Sequence, residues 1–280
     1  MQIISHRGID ATHYPDVTES SQQAFDTQLE LGFSIEFDVQ FTLDNEIIIN
    51  HDADLRKMSQ NKTTTDIATL TKAKISKLIY QNTTILGIED LIKQVNTRGN
   101  TNAVHAIHLK GVHQTREKID TLLQKLTRLP TEKYFIFDLT VAAAKYIKSI
   151  DSTIQTGASL AHEYDIERFN KLTGGTLLSL DEVCANKGIF DWAWFDEWDT
   201  KDISDTSKKL YTDSNFSKVR HQNMSIAVIS PELHKGTSIG GHPDASSQDQ
   251  LMIRLSEIIA LEPDAICTDY PSLVKELLHT

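Results

Sequence analysis

Eight short runs rich in β-branched and aromatic residues recur along the chain, separated by stretches with apolar side chains at three- and four-residue spacing. The runs are Gln2–Ser5, Ser34–Val39, Val104–Leu109, Lys133–Phe137, Thr153–Ser159, Phe190–Phe195, Met224–Ile229 and Asp264–Thr268. Between them lie amphipathic stretches such as Ser20–Leu31, Ile88–Thr97, Thr115–Leu126, Val141–Ser149 and Gln248–Leu261. This alternation predicts an α/β fold with a parallel sheet, and eight units suggest closure into a (β/α)8 TIM barrel. No glycine-rich phosphate loop follows the first run, which counts against an open doubly wound sheet. With 280 residues, 39% of them hydrophobic, the chain can fill one large core, so a single domain over 1–280 is expected. Two connections, Asn50–Gly87 and Asp196–Asn223, exceed ordinary loop lengths, which is often a mark of function.

A formal net charge of −11 repels phosphate-rich polymers, so nucleic acid is not an expected partner. No apolar run of about 18 residues is present, and no integral membrane association is expected. Met1 leads within five residues to His6-Arg7-Gly8, which does not read as a secretory leader. The cysteines, Cys184 and Cys267, lie far apart in apolar surroundings that suit buried thiols. These features together predict a cytoplasmic protein.

The active site of a barrel is assembled at the carboxyl ends of its strands, and here those ends are polar. The first run ends in His6 and Arg7, the second carries Glu36 and Asp38, the third His108 and Lys110; others end in Asp138, Asp196 and Asp269. Glu36 and Asp38 stand two apart on a strand and share one face, the inward one in a barrel. Two carboxylates forced together repel unless a cation lies between them, and oxygen ligands of this kind suit Mg²⁺ or Ca²⁺. Spacing alone leaves open that the pair faces solvent or meets basic side chains. His6-Arg7 joins a proton-exchanging group to a fork for phosphate oxygens. His51-Asp52 ends another short run, Ile47–Ile49. Alternation through Asp191–Trp198 puts Trp192, Trp194 and Asp196 on one face. Trp194 and Asp196 could wall a polyol-binding mouth, although an aromatic stripe is also what a packed core produces. Gly236–His242 reads as a loop over the site or as an ordinary surface loop.

Taken in order, these pieces resemble the glycerophosphodiester phosphodiesterase family. The likeness is carried by His6-Arg7-Gly8, Thr18-Glu19-Ser20 with Ala24-Phe25, Ile35-Glu36-Phe37-Asp38-Val39 with Thr42 and Asp44, and His51-Asp52 with Leu55. Leu86–Leu91 and the closing segment Asp264–Pro271 add to it, whereas from Gly111 to Pro263 it rests on element order. The resemblance implies metal-dependent hydrolysis of a small-molecule glycerophosphodiester to a phosphomonoester and an alcohol. It makes His6 and His51 the acid–base pair, puts Arg7 and Lys110 on the phosphate and Glu36 and Asp38 on the metal, and sets Glu19 beside them. As a working assignment His51 is the acid and His6 the base; the sequence does not fix the order. One departure matters: His108-Leu109-Lys110 stands where the family usually has Glu-Ile-Lys. His108 then either serves as a third, neutral ligand, shifting the metal preference from Mg²⁺ or Ca²⁺ toward Mn²⁺ or Zn²⁺, or binds substrate, or marks lost activity. Two rival functions stay open: a lyase resembling sphingomyelinase D that releases a cyclic phosphate, and a catalytically silent barrel that binds a phosphorylated ligand. A sugar isomerase is a weaker third, because it has no need of His6-Arg7.

Overall fold

A computed structural model describes residues 1–57, 59, 63–80, 83–100, 102–197, 210–231, 245 and 247–279. The chain starts with β1 (Gln2–His6), α1 (Gln22–Glu30), β2 (Ser34–Phe41) and β3 (Ile47–Ile49). A long excursion holds α2 (Lys72–Ile75), β4 (Ile79–Tyr80) and β5 (Thr83–Thr84) before α3 (Ile88–Arg98) and β6 (His105–His108). Regular alternation then resumes with α4 (Arg116–Leu126), β7 (Tyr134–Phe137), α5 (Val141–Ile150) and β8 (Gln155–Leu160). Next come α6 (Ile166–Thr173), α7 (Leu180–Ala185), β9 (Trp192–Phe195), α8 (Asp213–Arg220) and β10 (Ser225–Ile229). The chain closes with α9 (Gln248–Ala260), β11 (Ala265–Thr268) and α10 (Pro271–Leu277).

Strands β1, β2, β6, β7, β8, β9, β10 and β11 pair in that order, all parallel, and β11 returns to β1. The result is a closed eight-stranded (β/α)8 barrel, as the alternation predicts. Its outward positions, such as Ile35, Phe37, Val39, Ile107, Ile136, Phe195 and Ile226, pack under the helices in one large core. Its inward positions form a second core of Ile4, Ala106, Phe135, Phe137, Trp192, Trp194, Ala227, Ala265 and Cys267. Gly157 makes room for that aromatic filling, since a Cβ there would lie 2.9 Å from the Cβ of Phe137. Cys267 is buried as expected, whereas Cys184 on α7 is only half-buried.

The excursion Asn50–Gly87, expected to be a long loop, has structure of its own. Ile48, Leu55, Ile67, Ile75 and Ile85 bury one another in a satellite core, and β4 and β5 form an antiparallel pair. Most of Gly236–His242's neighbourhood and Trp198 lie outside the described residues, and so does that glycine segment itself. Among the described residues, no helix is long and apolar enough to cross a membrane.

Candidate active site

β2 sets the centre of the site. Because Ile35, Phe37 and Val39 point outward, Glu36 and Asp38 point into the barrel mouth, where both are buried. Register then brings His6 of β1 opposite Glu36 and His108 of β6 opposite Asp38. Ligand atoms of Glu36, Asp38 and His108 lie within 4.8 Å of one another. Arg7 turns back over the mouth with φ 51°, a left-handed conformation costly for a residue with a Cβ. Its Nε lies 3.3 Å from Asp38 Oδ2, its Nη1 3.6 Å from Glu19 Oε1, and its amide donates to Glu36 Oε2 at 3.2 Å. Glu19 also pairs with Lys57 at 2.8 Å. Gly8 continues the turn at φ 76°, and a Cβ there would stand 2.8 Å from that of Ala24 on α1.

The two expected catalytic histidines are each anchored at Nδ1 by a carboxylate. His6 meets Asp269 Oδ1 at 2.7 Å, across the β1–β11 seam, and His51 meets Asp52 Oδ1 at 2.7 Å. β3 brings His51 home: it runs antiparallel to β2, and the Asn50 amide donates to the Asp38 carbonyl at 3.2 Å. The His51 carbonyl accepts from Lys110 Nζ and, at 3.0 Å, from Gln40 Nε2. Gln40 Oε1 in turn accepts from His113 Nε2 at 2.8 Å, and His113 Nδ1 accepts from Lys118 Nζ at 3.1 Å. Lys110 Nζ also lies 3.7 Å from Asp38 Oδ1.

His108 lies between two aspartates. Its Nδ1 is 2.8 Å from Asp38 Oδ1 and its Nε2 is 3.3 Å from Asp138 Oδ2, while its ring stacks on Phe137 with centroids 4.8 Å apart. Phe137 stacks on Trp194 in turn, at 4.0 Å. Trp194 is therefore a filler of the barrel interior, 2% exposed and separated from His108 by the Phe137 ring, rather than an open wall of the mouth. Asp196 continues from β9 at the rim, largely buried, with its amide bonded to Leu160 O at 2.9 Å.

Electrostatics divide the ionisable groups sharply. Burial would raise the Asp38 carboxyl, yet the Arg7 guanidinium, the hydrogen bond from His108 and the His108 and His51 charges hold it well below the carboxylate range. Glu36 goes the other way, pushed up by burial and by Asp38. His6 is raised: burial and Arg7 oppose its charge, but Asp269 and Glu36 outweigh them. His51 is lowered, because burial outweighs the hydrogen bond to Asp52. Burial likewise opposes charge on His108, but its hydrogen bonds to Asp138 and Asp38 raise it to about 9.

These donors fit a divalent cation. Two buried carboxylates and an imidazole nitrogen converge, the charge of one carboxylate is disfavoured by the other, and Asp38 Oδ2 is buried without a hydrogen bond. Residues 6–155, more than half of the chain, match the glycerophosphoryl diester phosphodiesterase family. The chain belongs to that family. No curated protein matches it by sequence. Among solved structures, a protein from Galdieria sulphuraria provisionally assigned as a glycerophosphodiester phosphodiesterase is 17% identical with TM-score 0.73, covering 100% of this chain and 98% of that one. A glycerophosphodiester phosphodiesterase from Parabacteroides distasonis is 18% identical, with TM-score 0.67 and coverage of 99% and 96%. An Oleispira antarctica phosphodiesterase, solved with the product sn-glycerol-3-phosphate, is 14% identical, with TM-score 0.68 and coverage of 100% and 97%. At such identities these likenesses establish the shared fold. In this glycerophosphoryl diester phosphodiesterase family member, His6, Arg7, Glu19, Glu36, Asp38, His51, His108 and Lys110, all singled out from the sequence, lie around the carboxylates of β2. The sequence reading left Asp52, Asp138 and Asp269 without roles, although the polar ends of β7 and β11 were visible as a signal. Gln40 was missed, despite standing in the same i, i+2 series as Glu36 and Asp38.

Proposed function

We propose that the chain, acting as one barrel domain, is a metal-dependent phosphodiesterase that hydrolyses a glycerophosphodiester to a phosphomonoester and an alcohol. The observation that carries this reading is the pair of histidines, each anchored at Nδ1 by its own carboxylate, flanking the buried Glu36 and Asp38. With Nδ1 so engaged, proton exchange with substrate falls to Nε2 of each ring. The opposite shifts of the two rings favour neutral His51 as the base toward the attacking water and charged His6 as the acid toward the departing alkoxide. That reverses the working order taken from the sequence. As the water oxygen bonds to phosphorus, its proton passes to His51; as the far P–O bond breaks, His6 protonates the alcohol. Arg7 and Lys110 supply cationic donors to the phosphoryl oxygens. A divalent cation held by Glu36, Asp38 and His108 would neutralise the charge that builds on those oxygens. The sn-glycerol-3-phosphate found in the Oleispira antarctica enzyme is the product this chemistry would give.

The test is to incubate the full chain with glycerophosphocholine, glycerophosphoethanolamine and bis(p-nitrophenyl) phosphate, each with Mg²⁺, Ca²⁺, Mn²⁺ or Zn²⁺, and to follow products by phosphorus NMR. A phosphomonoester whose formation stops on chelation is expected. A cyclic phosphate would point instead to the lyase, and a folded protein without turnover under any condition to a silent binder.

A further inference from the structure

We propose that Asp138 is the positioning residue that makes His108 a metal ligand through Nδ1, so that His108 and Asp138 together form the third arm of the cation site; this rests on the metal reading above. An imidazole coordinates only through a nitrogen with a lone pair, so the tautomer decides which side of the ring can bind. Nε2 faces the Asp138 carboxylate at 3.3 Å, a group that accepts, so Nε2 keeps its proton when the ring binds a cation through its other nitrogen. A cation held by Glu36 and Asp38 would displace the other proton, the one on Nδ1 that bonds Asp38 Oδ1 at 2.8 Å, and leave the Nδ1 lone pair to coordinate it. Stacking on Phe137, with the ring planes 19° apart, holds that orientation.

Asp138 is fixed in place by a costly arrangement. It sits at φ 62°, in the left-handed region, immediately after β7, and is 3% exposed. The Thr176 amide donates to its Oδ1 at 3.1 Å, while Gln114 Nε2, at 2.6 Å, and Thr176 Oγ1 both donate to its carbonyl. A strand continued normally would carry the side chain elsewhere; this turn brings Oδ2 behind the imidazole. The arrangement also answers the charge count. A neutral imidazole adds nothing to the two charges of Glu36 and Asp38, but with a carboxylate behind it the third arm carries a negative charge again, and the imidazole becomes a stronger donor.

The experiment is calorimetric titration of Mn²⁺ and Mg²⁺ into the metal-free full chain, in wild type, Asp138→Asn, His108→Glu and the double variant. Asparagine tolerates the left-handed backbone, and circular dichroism with a thermal midpoint checks each fold. Asp138→Asn is expected to weaken Mn²⁺ binding by about 10- to 100-fold when His108 is present. In the His108→Glu background, where the carboxylate binds directly, the same change is expected to cost less than about 2-fold, since the coupling through the imidazole is gone. Equal losses in both backgrounds would mean that Asp138 merely supports the fold, and an unchanged Mn²⁺ affinity in Asp138→Asn would remove the inference alone. A wild-type chain that binds neither ion would remove the metal reading and this inference with it.

Discussion

His6 meets a carboxylate from the last strand of the barrel and lies opposite Glu36, while His51 meets its own neighbour Asp52 beside the cations Arg7 and Lys110. The same side chain is thereby raised at one position and lowered at the other. A hydrolysis that needs neutral His51 and charged His6 should fall off in acid as His51 gains a proton, and in alkali as His6 loses one. The rate profile against pH is expected to be bell-shaped, its limbs belonging to the coupled site as a whole. Asp269→Asn removes a charge that stabilises the His6 cation, so the alkaline limb should move to lower pH while the acidic limb stays. Movement of the acidic limb instead would exchange the two roles. His6→Ala and His51→Ala should each lower turnover by roughly 10²-fold or more without loss of fold. What was legible at this scale is what one strand determines by itself: Glu36 and Asp38 share a face because strand geometry has a period of two. The pairings His6 to Asp269 and His108 to Asp138 depend on register between distant strands and on the backbone turn at Asp138, neither of which appears in local sequence.

Elements were legible where periodicity was strong. The eight runs coincide with the barrel strands to within a few residues, and α1, α3, α4, α5 and α9 lie where apolar spacing put them. Asn50–Gly87 was harder, because its satellite core is built from isolated isoleucines and leucines spread over short turns with no sustained period. β9 shows the limit most clearly: alternation gave the shared face of Trp192 and Trp194 correctly but not its depth in the barrel. Stacked on Phe137 at 4.0 Å and almost fully buried, Trp194 is expected to behave as core. Trp194→Ala should therefore cost about 3–5 kcal/mol in a denaturant titration. Trp194→Phe should keep the wild-type ranking of leaving alcohols; a well-folded Trp194→Phe enzyme with a new ranking would restore the substrate role that the sequence suggested. Gly8→Ala tests the first turn. Its left-handed φ and the 2.8 Å approach to Ala24 Cβ leave no space for a methyl group, so loss of stability is expected together with displacement of Arg7.

For the whole molecule, buried histidines set how stability responds to acid. His105, on the outward side of β6, is 1% exposed and accepts a hydrogen bond from the Ile35 amide at Nδ1, 3.2 Å away. Burial, helped by Lys133, lowers it from 6.5 to about 4. His113 is lowered to about 4 as well, by burial and by Lys118, Lys110 and His108. Between pH 6.5 and 4 the unfolded chain takes up protons that these folded-state rings refuse, so stability rises with pH across that window and is lost as pH falls through it. For His105 the full shift corresponds to about 3 kcal/mol at pH 4, on the scale of 1.36 kcal/mol for each unit. His108 has the opposite sign: raised to about 9, it contributes stability that is complete below its unfolded value of 6.5 and fades as pH rises through 9. The two windows do not overlap, so the acid side can be read separately in chelator-treated protein. His105→Asn retains an acceptor near the Nδ1 position for the Ile35 amide and removes the titration. Its unfolding midpoint in urea should vary less than that of the wild type between pH 6.5 and 4.5, with the two curves running parallel above pH 7. If both proteins lose stability equally over the acid window, His105 does not resist protonation in the folded state, and the acid sensitivity must come from other groups.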